Sequence, residues 1–140
     1  MPVMALDVGT KRIGVAVADP GGSFALPILV LERTNLQADL QRIVELAKEY
    51  DADELVVGDP IRLSGERGLA AEQIDRFVEH LQKKYSGRIH RVDERLTTAQ
   101  AQRALLAADV SRPKRKTVVD KMAAALILET FLARRRLSTE

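Results

Sequence analysis

Apolar and polar positions alternate in short runs over the first part of the chain. Val3 to Val8 and Arg12 to Ala18 are two such runs, separated by Gly9-Thr10-Lys11, and they read as consecutive strands across a tight turn. Asp19-Pro20-Gly21-Gly22 is a second turn, and Ala25 to Leu31 is a third strand. Pro27 has no backbone N–H to give a neighbour, which places that strand at a sheet edge. Three strands with short links predict an antiparallel meander.

The period then lengthens. Thr34, with Gln37 three residues on, has the pattern of a capping box. Leu36, Leu40, Ile43, Val44 and Ala47 share one helical face up to about Tyr50. Glu54 to Gly58 is short and apolar, as a central parallel strand should be. A polar loop from Asp59 to Gly68 leads to a second helix, whose apolar face carries Ala70, Ile74, Phe77, Val78 and Leu81 and whose predicted stop is Gly87. Arg88 to Val92 is a fifth strand, closed by Asp93-Glu94-Arg95. Thr97 and Gln100 open a further helix containing Ala101, Ala104, Leu105 and Ala108. Asp109 to Lys116 has no apolar period and contains Pro113, so it is expected to be a mobile loop before a last helix from about Val118 to Arg135. The element order implies an α/β fold. Its mixed five-stranded sheet joins a three-stranded antiparallel meander to two parallel strands, with helices on both faces. One domain over residues 1–137, with a tail at 138–140, is the expected organisation.

Composition narrows the chemistry. The 140 residues suffice for a full core, and they include no cysteine. Disulfides, thiolate nucleophiles and zinc–thiolate sites are therefore excluded. The absence of cysteine fits a reducing compartment. Met1-Pro2-Val3-Met4 has no basic leader, and no apolar run is long enough to cross a membrane, so a cytoplasmic protein without membrane partners is expected. The net charge is only +2, but from Ser111 to Leu137 eight bases face only Asp120 and Glu129. A basic end on an acidic body points to a polyanionic partner.

Three acidic positions fall at the ends of elements. Asp7 closes the first strand, Asp93-Glu94 follow the fifth, and Asp120 lies near the start of the last helix. A carboxylate in such a place requires a metal ion, a base or a ring of amides as partner. Asp120 shares a helical stripe with Ala123, Ala124, Ile127 and Phe131, a face that has to pack on the sheet; as an N-terminal acid after Thr117 it also suits a capping box. Adjacent strand residues point to opposite sides, so one of Asp93 and Glu94 joins the cluster; Glu94 has the longer reach. Clustered hard oxygen ligands select Mg²⁺ or Mn²⁺, and two such ions about 4 Å apart can clamp both oxygens of a phosphodiester displacement. Lys11, Arg12 and Arg95 stand beside these acids, and Arg112, Lys114, Arg115 and Lys116 precede Asp120. All are candidates for contacts to a nucleic-acid backbone. His80 reads as a solvated helix residue and His90 as a sheet residue. With three Phe, two Tyr and no Trp, base stacking is a minor expectation.

Four segments carry a resemblance. Leu6-Asp7-Val8-Gly9-Thr10-Lys11-Arg12-Ile13-Gly14-Val15-Ala16, Val56-Val57-Gly58-Asp59-Pro60, Asp93-Glu94-Arg95-Leu96-Thr97-Thr98 and Lys116-Thr117-Val118-Val119-Asp120-Lys121-Met122-Ala123-Ala124 together resemble the YqgF (RuvX) family. The resemblance implies a ribonuclease H-like fold related to the RuvC resolvases. It implies nuclease activity in processing the 5′ end of pre-16S rRNA, or cleavage of nucleic acid in recombination and repair. It puts the family's acids on Asp7, Asp93 or Glu94, and Asp120. The family usually has Gly-Leu-Pro where this chain has Gly58-Asp59-Pro60, which raises Asp59 as an additional metal ligand. Expected partners are pre-rRNA, single-stranded DNA or RNA, or branched DNA, met by a monomer or a homodimer. Two other readings compete. A Holliday junction resolvase would act as a two-fold dimer, whereas a non-catalytic assembly factor would bind pre-ribosomal RNA and use the acids structurally. Asp7-Val8-Gly9-Thr10 also resembles the first phosphate loop of actin-like ATPases, but those need a second domain to enclose a nucleotide.

Overall fold

The computed structural model describes residues 2–19, 21–22, 24–60, 64–94 and 112–139, and for 112–121 and 138–139 it describes the backbone alone. Five strands, β1 (Val3–Val8), β2 (Arg12–Ala18), β3 (Ala25–Glu32), β4 (Glu54–Asp59) and β5 (Arg88–Asp93), form one sheet in the order β3-β2-β1-β4-β5. β1–β2 and β2–β3 pair antiparallel, while β1–β4 and β4–β5 pair parallel. The expected strands agree with these bounds to within one residue. Pro27 lies in β3 at the sheet edge, opposite Ala16, and the β2–β3 register shifts there so that Ile28 is bypassed. That bulge is how the sheet accommodates a residue without a donor.

Among the described residues three helices, α1 (Leu36–Glu49), α2 (Leu69–Lys84) and α3 (Arg112–Thr139), cover the two faces. Met4, Leu6, Ile13, Val15 and Val17 pack on one side against Leu40 and Ile43 of α1 and Ile74, Phe77 and Leu81 of α2. The alternate residues Val3, Ala5, Ala16, Ala18, Val56 and Val92 pack on the other side against Ala124, Ala125, Ile127 and Leu128 of α3. Small side chains line both sides of that second interface, so α3 lies close on the sheet.

Several local expectations are corrected. The α1 N-cap is Asn35, whose side-chain oxygen accepts from the Ala38 N–H at 2.9 Å. Thr34 instead donates from its backbone and hydroxyl to buried Asp39. Gly87 does not stop α2 through a left-handed turn: α2 ends at Lys84, and a side chain at 87 would run into the carbonyl of Asp53. Residues Arg112–Lys116 are helical rather than a loop, because Pro113 sits in the first turn, where its missing donor costs nothing. The same helix runs to Thr139 and so takes in part of the expected tail. Arg95 and the helix expected from Thr97 to Ala108 lie outside the described residues.

Candidate active site

β1, β4 and β5 are parallel neighbours, so their C-terminal ends meet at one edge of the sheet. Open α/β sheets bind ligands outside such ends. Leu6 pairs with Val57, which sets Asp7 abreast of Gly58. Val3 and Ala5 face α3, so the two-residue period turns Asp7 to the same side. Val56 also faces α3, and so does the open side of Gly58. A Cβ at Gly58 would lie 2.6 Å from Ile127 Cδ1 and 3.1 Å from Glu94 Oε1. The Glu94 carboxylate therefore rests over the bare backbone of Gly58, beside Asp7. Only glycine leaves room for it there. Glu94 is 3% exposed and Asp7 is half-buried. Both line one cavity of about 750 Å³ with the Gly9–Thr10 turn, the start of α1 and one side of α2.

Asp93 falls on the other side. It pairs in register with Asp59, and it shares its strand face with Arg91, which reaches Asp75 of α2. Of the two neighbouring acids, the structure thus brings Glu94, and not Asp93, to Asp7.

Asp59, raised from the sequence as an additional metal ligand, is paired with two arginines. Arg67 grips it through two N–H groups, at 2.8 and 3.3 Å, and Arg91 adds a third contact at 3.1 Å. The same arginines hold Asp75 at 2.6 and 2.9 Å. Burial alone would raise the Asp75 pKa, but the hydrogen bond and charge of Arg91 and the charge of Arg67 outweigh it, so the carboxyl sits below its usual range. With both oxygens accepting guanidinium N–H groups, Asp59 anchors the β4–α2 loop.

α3 runs antiparallel to β4. Ile127 meets Gly58 near the end of the strand, while Arg135 binds Glu54 at its start with two hydrogen bonds of 2.7 and 2.8 Å. Residues preceding Ile127 therefore lead toward the Asp7–Glu94 edge. The backbone of Asp120 is seven residues, about two turns, before Ile127 on the same helical stripe. The side chains of Asp120, Arg112, Lys114, Arg115 and Lys116 lie outside the described residues.

Among the expected cations, Lys11 is exposed on the β1–β2 turn and Arg12 pairs with Glu32 at 3.3 Å. Arg33, Gln73, Arg76 and His80 also line the cavity; sequence reasoning passed over the first three and read His80 as a solvated helix residue. Arg33 donates to the Gly9 carbonyl at 2.9 Å, pairs with buried Asp39 at 3.2 Å and covers the Phe77 ring at 5.4 Å. It braces the turn that follows Asp7. Nothing local distinguishes it from a solvated arginine, whereas Gln73, Arg76 and His80 carried a faint signal as a polar i, i+3, i+7 stripe beside Ile74 and Phe77. Among the described residues no three acidic or histidine side chains form a metal-holding group. Asp7 and Glu94 supply two hard oxygen donors, the ligand type suited to Mg²⁺ or Mn²⁺.

Comparisons with known proteins point to one family and one fold. A family profile described as "RuvX: Holliday junction resolvase" matches residues 1–134. A Moorella thermoacetica protein named "Putative pre-16S rRNA nuclease" is 47% identical over 134 residues, covering 96% of each chain. A Thermoanaerobacter pseudethanolicus protein of the same name is 44% identical over 133 residues, covering 94% of this chain and 96% of that one. In structure, the chain is similar to Thermus thermophilus RuvC in complex with a Holliday junction substrate, with a TM-score of 0.60, 13% identity and 97% and 96% of the two chains covered. It is also similar to the fowlpox virus Holliday junction resolvase, with a TM-score of 0.54, 13% identity and 96% and 99% covered. At such identities these two show the shared ribonuclease H-like fold.

Proposed function

The chain belongs to the RuvX family, and on that premise we propose that it is a divalent-metal-dependent nuclease acting on pre-16S rRNA, with Asp7, Glu94 and Asp120 as its metal ligands. The observation that carries this reading is the carboxylate of Glu94 lying over Gly58 beside Asp7. Two carboxylates side by side at one sheet edge are hard oxygen donors of the kind a divalent cation takes. Asp120 is assigned as the third ligand because its helix leads to the same edge. A bound divalent ion supplies charge neutralisation and water activation for phosphodiester hydrolysis. The chain's own residues do the rest. Gly58 admits Glu94, Arg33 holds the turn behind Asp7, and Lys11 with the basic start of α3 attracts the sugar–phosphate backbone. The cytoplasm, where ribosomes are assembled, is the matching location.

The test is cleavage of a labelled pre-16S rRNA 5′ fragment with Mg²⁺ or Mn²⁺ by the wild type and by Asp7→Asn, Glu94→Gln and Asp120→Asn. Each substitution should lower kcat by about 100-fold or more while leaving the thermal transition in place. RNA binding without acid-dependent cleavage would instead establish a non-catalytic assembly factor. The description of the matched family favours a second substrate, a four-way DNA junction met by a two-fold dimer. A side-by-side panel of RNA, single-stranded DNA and junction DNA, with sedimentation at the working concentration, separates the two.

A further inference from the structure

The cavity that contains Asp7 and Glu94 has a second wall. α2 contributes Gln73, Arg76 and His80 to it, at i, i+3 and i+7, so they form one polar stripe along the helix. Gln73 and Arg76 are exposed and His80 is half-exposed, and among the described residues none of the three makes a hydrogen bond or ion pair. The other sides of α2 are occupied. Ile74, Phe77 and Leu81 face the core, and Asp75 is held by Arg67 and Arg91.

The charge layout of the recess is uneven. Arg33, its other cation, is engaged by Asp39 and the Gly9 carbonyl. Apart from that pair, the described lining holds two carboxylates at the sheet edge and one uncommitted guanidinium on α2. A polyanionic strand entering beside two acids needs a fixed cation a short way along its path. At about 750 Å³ the recess is in the range that receives a nucleotide-sized group and is far larger than a metal ion requires.

We propose that Gln73, Arg76 and His80 form a phosphate-binding wall that receives the nucleotide next to the scissile bond of a single-stranded substrate. This rests on the nuclease reading above and extends it to strand path and substrate form. Arg76 binds the flanking phosphate through its forked N–H groups, and Gln73 and His80 hydrogen-bond the same phosphate or its sugar. A single strand can enter a recess of this volume, whereas a stacked duplex cannot present one nucleotide there without flipping it out.

The experiment measures anisotropy of a fluorescein-labelled single-stranded oligoribonucleotide in EDTA across a salt series, and steady-state cleavage of the same strand with Mn²⁺. Arg76→Ala should weaken binding about tenfold, reduce the salt slope by about one and raise KM more than it lowers kcat. Arg76→Lys should recover much of the binding and all of the slope. His80→Ala and Gln73→Ala should each cost a few-fold. Arg42→Ala, an exposed arginine on α1 outside the cavity, is the control for net charge. Equal losses for Arg76→Ala and Arg42→Ala, or equal effects on a blunt duplex and a single strand, would overturn the proposal. Cleavage that survives Asp7→Asn would instead overturn the nuclease site while leaving the binding measurements on α2 valid.

Discussion

The ion pair between Glu54 and Arg135 ties the last helix to the first residue of β4, 81 positions away in sequence. Its contribution to stability has a definite pH signature. The two hydrogen bonds from Arg135 are the main cause, opposed by burial and assisted by His90 at 2.9 Å, and together they lower the Glu54 pKa from 4.5 to about 2. A carboxyl whose folded pKa is depressed adds stability that is fully present above its unfolded pKa. That stability is lost as pH falls toward the folded value. The pH window is therefore about 4.5 down to about 2. At 1.36 kcal/mol per unit the shift corresponds to at most about 3 kcal/mol. The Arg135 side chain is 38% exposed, so solvent screening reduces this to about 1–2 kcal/mol. Urea denaturation of the wild type and Glu54→Gln at pH 7, 4.5 and 3 measures it. At pH 7 the variant should be less stable by about 1–2 kcal/mol, a shift of a few degrees in Tm for a chain of this size. The gap should narrow steadily below pH 4.5. A gap that stays constant down to pH 3 would refute the electrostatic account and leave only lost packing around Phe131, whose ring lies 4.8 Å from His90 and 4.5 Å from the Arg135 guanidinium.

Two further outcomes follow from the site. Gly58→Ala places a methyl group 2.6 Å from Ile127 Cδ1 and 3.1 Å from Glu94 Oε1; displacing Glu94 by even part of an ångström should cut kcat by about tenfold or more, with overpacking costing about 1–3 kcal/mol in urea denaturation, and full activity would show that Glu94 is not a ligand held by this contact. Asp59→Leu should leave Mn²⁺-dependent cleavage within about twofold, because Asp59 serves Arg67 and Arg91; stability should fall by about 1–2 kcal/mol, since both arginines reach solvent and keep Asp75, and a large loss of kcat would return Asp59 to the active site.

The strands were legible because their cues are local. Short apolar runs, Pro27 at the edge and Gly or Asp at the ends need only neighbouring residues to be read. Arg112–Lys116 were misread because a basic run around Pro113 has no apolar period, although a proline in a first helical turn costs nothing. Asp7 could be singled out as a strand-end acid, and the motif order around it supported the family. Glu94 could be preferred over Asp93 only for its longer reach, since a one-residue change in register exchanges the two faces.

By itself, then, the sequence determined the five strands, their order, the family and the set of acids from which a site can be drawn. Only the tertiary structure decided which of them meet. The parallel pairing of β1 with β4 put Asp7 beside Gly58, and the close approach of α3 and Glu94 filled the space that glycine leaves. Ion pairs made in the folded chain hold Asp59 to Arg67 and, across the sheet, to Arg91, and hold Arg33 to Asp39. The physical reason is that backbone preference acts over a few residues, whereas a buried carboxylate takes whichever cation or cavity the packing of distant segments brings within reach.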